Sequence, residues 1–392
     1  MKFKILTHHL SLTLLLFVFL LSIHFTAAKQ SNPMVHNLSL HNYEVEMTPI
    51  NELNEGGGAK DIEVVGDIAY VLSDSGLNIY NISDPINAFE LGHYYSDGYL
   101  GHSIAVYHDY IFTAADDRGL KIINVTDPSN PELANTYTNT RPAAIYIQNN
   151  LLFLANWEHD FEIYNITDVP LIAELVRFKG NGFSYVYAIN DLGFGFANNG
   201  SLVTVNISNP ENIGYIGMID DEAISCITID GNYWYTGGST GIKVFNSTNL
   251  SEPTLVSHVT ETEPTYITNM AILKGFLYAS DFHLGFRIFD ITDSKVPSEI
   301  GRDDVGGSLL GFQVVGDIGY VASQVRGIEI IQIQIKEVEN ISSSMESISS
   351  TSDSLISVST STSNRKTYIE MIFVFLSILT LSFCFRRSSK RN

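Results

Sequence analysis

Residues 237–241 read Gly-Gly-Ser-Thr-Gly, a literal match to G-x-S-x-G. That pattern makes a nucleophile only where the serine sits on a sharp strand-to-helix turn. Here apolar runs alternating with period two flank it, and no helical periodicity follows. Ser239 is therefore expected in a strand-to-strand loop, without a catalytic role. The chain has no H-E-x-x-H, C-x-x-C or Walker-type loop. Its two cysteines are Cys226, in the strand-like run ISCITI, and Cys384, in an apolar C-terminal run. Cys226 reads as a small buried hydrophobe. His102, His159 and His283 could hold a metal only by converging from distant segments. Asp74, Asp116, Asp117, Asp160 and Asp281 lack the local order of a calcium loop. No catalytic residue, cofactor or metal is expected.

Two polar loops carry large side chains: Trp157-Glu158-His159-Asp160 and Asp281-Phe282-His283. Exposed aromatics among acids suit contact with a protein or carbohydrate partner; packing against a neighbouring repeat would use them equally well. A third recurrent feature is the N-x-[ST] sequon. It occurs at Asn81, Asn124, Asn165, Asn206 and Asn246 in related phrases, and also at Asn37, Asn199, Asn249 and Asn340. The chain carries 22 basic and 43 acidic residues, a formal net charge of −21. Nucleic acid is excluded as a partner, because phosphate contacts need a basic surface.

These residues are carried by an internal repeat. The units read GLNIYN (76–81), GLKIIN (119–124), DFEIYN (160–165), SLVTVN (201–206), GIKVFN (241–246), GFRIFD (285–290) and GIEIIQ (327–332), so each ends 40 to 44 residues after the last. Each phrase follows two alternating runs joined by a tight turn: Gly66-Asp67, His108-Asp109, Asn149-Asn150, Asn190-Asp191, Lys274-Gly275 or Gly316-Asp317. Such residues tolerate the positive φ of hairpin turns. A polar turn, as in Asp84-Pro85 and Asp127-Pro128, leads on to a weaker fourth run. Four short strands per unit of this length is the pattern of a propeller blade. The expected fold is all-β, a seven-bladed β-propeller of four-stranded blades. The seventh unit lacks a fourth run, and Tyr43–Met47 alternates well. Segment 35–48 is thus expected to supply the missing outer strand.

The runs DIEVVGDIAYVLSDSGLNIYNISDP and SIAVYHDYIFTAADDRGLKIINVTDPSNPEL resemble the LVIVD-repeat proteins of bacterial and archaeal surfaces. The resemblance spans about residues 58–332. It implies a β-propeller at the cell surface and brings no catalytic residue with it. The family's phrase normally ends in Asp, as at Asp290; five units here end in Asn, and the last in Gln332.

The ends of the chain give an address. Residues 1–28 have the basic start, apolar core and small-residue cut site of a signal peptide, although an uncleaved anchor shares much of this pattern. Residues 29–57 form an N-terminal segment with the ring-closing strand, and 58–336 the repeats. The Ser/Thr-rich stretch 337–367 reads as a disordered stalk. Residues 368–385 are read as one transmembrane helix, with 386–392 as a basic cytoplasmic tail; a cleaved sorting tail has the same form. In a four-strand meander, the hairpin turns and sequon loops share one face. A chain leaving after the third strand of blade seven would exit there. The sequence therefore predicts a single-pass plasma-membrane protein with its N-terminus outside. Its opposite face would point outward and act as a binding or adhesion module. The alternative is an extracellular propeller enzyme acting on carbohydrate, which would need carboxylates clustered at a common depth at the axis.

Overall fold

A computed structural model describes residues 42–53, 58–95, 100–157, 160–179, 182–197, 200–221, 223–260, 263–303 and 308–338. Residues 43–337 fall within one compact unit. The signal peptide, the stalk beyond Val338, the transmembrane helix and the tail read from the sequence lie outside the described residues; Glu337 and Val338, expected to begin the stalk, instead end the last strand. No helix among the described residues is long and apolar enough to cross a membrane.

The unit contains seven four-stranded sheets. After β1 (Asn42–Leu53), blade 1 is built from β2 (Ala59–Val65), β3 (Ile68–Ser73), β4 (Leu77–Asn81) and β5 (Phe89–Tyr94). Blade 2 has β6 (Ser103–Tyr107), β7 (Tyr110–Ala114), β8 (Leu120–Asn124) and β9 (Glu132–Tyr137). Blade 3 has β10 (Pro142–Gln148), β11 (Leu151–Asn156), β12 (Asp160–Asn165) and β13 (Ala173–Lys179). Blade 4 has β14 (Phe183–Ile189), β15 (Leu192–Ala197), β16 (Leu202–Asn206) and β17 (Gly214–Ile219). Blade 5 has β18 (Ile224–Asp230), β19 (Tyr233–Gly238), β20 (Gly241–Asn246) and β21 (Thr254–Val259). Blade 6 has β22 (Ile267–Leu273), β23 (Phe276–Asp281), β24 (Gly285–Asp290) and β25 (Ser298–Asp303). Blade 7 has β26 (Leu309–Val315), β27 (Ile318–Ser323) and β28 (Gly327–Val338), and its outer strand is β1 from the other end of the chain. Two single 3-10 turns, Pro85–Asn87 and Asp116–Arg118, are the helical elements among the described residues.

The hairpin turns hold positive φ at Gly66, His108, Asn149, Asn190, Gly231, Lys274 and Gly316, between 52° and 64°. Gly231-Asn232 supplies the turn that composition alone left unmarked in blade 5. The glycine that opens five of the seven third-strand phrases has a different reason. At Gly119, φ is +83° and an added Cβ would lie 2.1 Å from the Tyr137 carbonyl oxygen, so a side chain there would displace the blade's outer strand.

The hydrophobic core lies between blades. Ile62 and Val64 of blade 1 pack with Tyr320, Ala322, Ile328 and Ile330 of blade 7. Tyr70, Leu72 and Ile79 of blade 1 pack with Ile104, Ile111 and Ile123 of blade 2. The remaining interfaces repeat this arrangement, down to Phe286 and Ile288 of blade 6 against Phe312, Val321 and Ile331 of blade 7. β1 extends both ends of it: Leu53 is buried at the blade 7–blade 1 core, and Val45 and Met47 pack at the blade 6–blade 7 core.

Polar loops reinforce these contacts. Asn51 of β1 donates to the Pro85 carbonyl of blade 1 at 3.1 Å, and Asn135 of blade 2 donates to the Pro170 carbonyl of blade 3 at 3.1 Å. An added Cβ at Gly92 of blade 1 would lie 2.4 Å from the Pro128 carbonyl oxygen of blade 2. In blades 1, 2 and 3 the turn after the third strand thus lies over the outer strand of the preceding blade. Removing residues 42–53 from the full chain should lower the melting temperature by about 10 °C or more, because an open ring exposes two core faces and an unpaired strand edge. An unchanged calorimetric melting curve would show that β1 does not close the ring.

Candidate functional site

The two faces of the disc follow from backbone hydrogen bonds. The residue after each sequon Asn donates to the hairpin turn of its own blade. These are Ile82 to Asp67 at 2.8 Å, Val125 to Asp109 at 2.8 Å, Ile166 to Asn150 at 3.0 Å, Ile207 to Asp191 at 2.9 Å and Ser247 to Asn232 at 2.8 Å. Sequon loops and hairpins therefore share one face. On the opposite face the loops between second and third strands join the links between blades, as in Trp157 N to Arg141 O at 3.3 Å and Phe282 N to Tyr266 O at 2.9 Å.

On that opposite face Trp157 is 42% exposed. Its indole Nε1 donates to Asp116 Oδ1 of blade 2 at 2.8 Å, so the ring is held in place while half of it meets solvent. His102 Nε2 lies 3.7 Å from Asp116 Oδ2, and Lys60 Nζ lies 2.7 Å from Asp74 Oδ1. Burial holds the His102 pKa below its usual value despite Asp116. Glu158, His159 and the sequons Asn37, Asn199 and Asn340 lie outside the described residues. Phe282 is half-buried and makes an edge contact with the exposed His283 ring at 5.2 Å.

Asp281 is fully buried. It accepts hydrogen bonds from Thr265 Oγ1 (2.5 Å), Tyr266 N (3.1 Å), His283 N (2.9 Å) and Leu284 N (3.1 Å), and pairs with Arg287 at 3.3 Å. Burial alone would raise its pKa; these donors outweigh that and hold it below the ordinary carboxylate value. Asp281 shapes the loop, and Phe282 and His283 are what that loop presents. Ser239 lies between β19 and β20 with its amide on Ala223 O at 3.1 Å, and a strand follows it. The nucleophile-elbow context is absent there.

The sequon turns use one chemistry throughout. The Asn side-chain oxygen accepts the amide two residues on: 3.0 Å at Asn81, 2.8 Å at Asn124, 2.9 Å at Asn165, 2.9 Å at Asn206 and 2.9 Å at Asn246. Asp290 does the same at 2.8 Å. Only an acceptor is required, so Asp and Asn interchange. The Nδ2 atoms of these five Asn donate to no described residue. Asn249 accepts from the Ser251 hydroxyl at 2.8 Å in a turn of its own. Asn124→Asp should leave the melting temperature unchanged, whereas Asn124→Ala should cost about 1 kcal/mol by denaturant titration.

A further cluster lies on the strands next to the axis. Counting five residues back from each hairpin turn gives Asp61, Ser103, Ala144, Tyr185, Cys226, Asn269 and Gly311 at one level. Three back gives Glu63, Ala105, Tyr146, Tyr187, Thr228, Ala271 and Gln313 at the next. These side chains turn towards the following blade and the axis. The evenly interleaved residues, such as Ile62 and Ile104, turn into the preceding core.

Asp61 and Gln313 of these levels, with Ser225 and Thr268 from the level before them, stitch the inner ring. Asp61 Oδ2 accepts Ile104 N at 2.9 Å, Ser225 Oγ donates to Ile267 O at 2.7 Å, and Thr268 Oγ1 donates to Leu309 O at 2.9 Å. Gln313 closes the circle, taking Val64 N at 2.5 Å and giving to Val64 O at 3.1 Å. The others meet near the axis. Tyr146 and Tyr187 have ring centroids 4.9 Å apart, with the ring planes tilted by 56°. Tyr185 of blade 4 feels the charge of Asp61 in blade 1, and Tyr146 of blade 3 that of Glu63 in blade 1.

Burial raises these groups. Asp61 is pushed up to about 6, against the pull of the Ile104 and Ile62 amides and the Ser103 hydroxyl. Glu63 is pushed up to about 8 by burial first and by the Asp61 charge second. Both keep a little solvent-accessible surface although protein surrounds them. Cys226 is pushed up to about 12 by burial and stays a thiol. None of the axial groups was marked by a local motif; the signal lay in aligning equal distances from seven turns.

A carboxyl whose folded pKa is raised contributes stability that is complete below its unfolded pKa, 4.5 for Glu63, and lost as pH climbs through about 8. The full chain should therefore melt several degrees lower at alkaline than at mildly acidic pH, and Glu63→Gln should flatten that slope. An equal slope in the variant would exclude Glu63 as its source.

Comparison with known proteins is consistent with this architecture. The LVIVD repeat family model matches residues 56–95 and 101–139. No curated protein matches the chain. Among solved structures, the computationally designed Ika8 protein superposes with a TM-score of 0.53 at 12% identity, over 73% of this chain and 99% of that one. At that identity the likeness speaks for the fold alone.

Proposed function

We propose that the propeller is a cell-surface binding module, tethered on its hairpin face and engaging a protein or carbohydrate partner with the opposite face. The observation that carries this reading is the course of β28. Ile333 N bonds Asp317 O of the blade 7 hairpin at 2.8 Å, so the strand crosses the hairpin face before it ends at Val338. The start of β1 lies there too, with Tyr43 against Phe276 at 5.2 Å, beside the blade 6 hairpin. A stalk and membrane helix following β28 would hold that face towards the membrane. The sequon face would then be the membrane-side face, with five Asn Nδ2 atoms open to glycan. Trp157, Phe282 and His283 would face away from it. The hydrogen bond from Trp157 to Asp116 favours contact by that ring, because it leaves less side-chain freedom to be lost on binding.

Catalysis on carbohydrate has less support. Asp61 and Glu63 stand side by side on one strand, whereas glycoside hydrolysis needs two carboxyls flanking the scissile bond. Asp61 is also occupied by two backbone amides.

Topology decides the first half of the reading. In cells displaying the full chain, an epitope inserted at Val325 should be stained without permeabilisation, and one after Asn392 only with it. The reverse pattern would overturn the orientation. For the second half, the full chain is applied to protein and glycan arrays. Trp157→Ala should weaken the captured ligand about tenfold, as for a central aromatic contact; undiminished binding would remove Trp157 from the contact face.

A further inference from the structure

The acid–tyrosine cluster at the axis is used by neither the loop face nor the sequon face. Asp61 and Glu63 come from blade 1, Tyr146 from blade 3, and Tyr185 and Tyr187 from blade 4. Blades 1 and 4 stand on opposite sides of a seven-membered ring, so Asp61 and Tyr185 approach the axis from opposite sides. No Lys, Arg or His occupies the two levels, five and three residues before each turn, in any blade. The Glu63 side chain is partly buried, and its carboxyl makes no hydrogen bond to a described residue.

We infer that this axial cluster is a binding site for a small organic cation of the ammonium type. Tyrosine rings attract a cation through their negative faces, and an adjacent carboxylate adds charge to that attraction. Partial desolvation of these side chains on the inner strands strengthens both. A metal ion fits less well. Asp61 already accepts the Ile62 and Ile104 amides, each at 2.9 Å, and hard cations need six or more oxygens. Among the described residues no three His, Cys, Asp or Glu side chains are placed to hold a metal. Anions would meet two acids and no base. The acidic surface of the whole chain, at −21, raises the local concentration of cations of every kind, so selectivity must come from the aromatic wall.

Choline serves as the probe, and 3,3-dimethylbutan-1-ol as its neutral isostere. Calorimetric titration of the full chain should show choline binding, with the isostere about tenfold weaker or more. The titratable groups facing Glu63 are Asp61 on its own strand and Tyr146 on β10, with the Tyr187 ring packed against Tyr146. A cation that favours ionised Glu63 should bind more tightly as pH rises towards about 8, with proton release visible in buffers of different ionisation heat. Glu63→Gln should weaken choline about tenfold and abolish that proton release. Tyr187→Phe keeps the ring and should retain binding, whereas Tyr187→Leu should lose it; melting curves check that each variant folds. Equal binding of choline and its isostere, or no heat with either at millimolar concentration, would overturn the inference. So would binding of calcium with none of choline, which would make the cluster a metal site. Should the variants fail to fold, the choline–isostere comparison on the unaltered chain still decides.

Discussion

No blade of this protein has a core of its own. Each four-stranded sheet buries its two faces only against its neighbours, so every apolar side chain in the disc depends on the ring being complete. Ile62 is buried because blade 7 stands behind blade 1, and blade 7 is a full sheet only because β1 returns from the N-terminus. One closure therefore holds seven interfaces, and loss of β1 would be felt at two of them directly. The inner strands present a second demand. Each is a sheet edge facing the axis, with backbone groups that no strand can pair. Asp61, Ser225, Thr268 and Gln313 answer it by bonding the next inner strand, so polar residues at the axis are part of the same closure.

The sequon loops have a structural task that precedes any glycan. Their Asn or Asp oxygen folds the turn, the next amide ties it to the hairpin, and the prolines beyond lie on the preceding blade. Since the turn needs only an acceptor, drift between Asp and Asn is free at this position. The amide nitrogen that such drift creates faces no protein partner. A chain of this design can acquire or lose glycan sites without disturbing the disc.

The repeat, the strand alternation and six of the seven hairpin turns were legible in the sequence because they are local. Period two and a positive φ need only adjacent residues. Asp281 was expected in a contact loop; the fold buries it, and besides the nearby amides of His283 and Leu284 its oxygens serve Thr265, Tyr266 and Arg287, which only the fold and the neighbouring strands bring near. The axial cluster was illegible for a further reason. Its members lie more than eighty residues apart in part, and each alone reads as an ordinary strand residue.

The repeats differ from one another in an informative way. Four residues before each hairpin turn stand Ile62, Ile104, Ile145, Val186, Ile227, Met270 and Phe312, every one apolar. Those positions fill the interblade cores, and packing keeps them alike. One residue earlier stand Asp, Ser, Ala, Tyr, Cys, Asn and Gly, which share neither size nor polarity. Packing at a symmetric interface would not produce such a set, since seven equivalent environments favour seven similar side chains. Some of the divergence is absorbed by the inner stitching, as at Asp61. Tyr185 packs against the cores on both sides of blade 4, whereas Glu63, two residues nearer the turn of blade 1, has no hydrogen-bond partner among the described residues. Where a repeat departs from its own rule without a structural reason, chemistry specific to the whole ring is the remaining explanation, and here those departures gather around one axis.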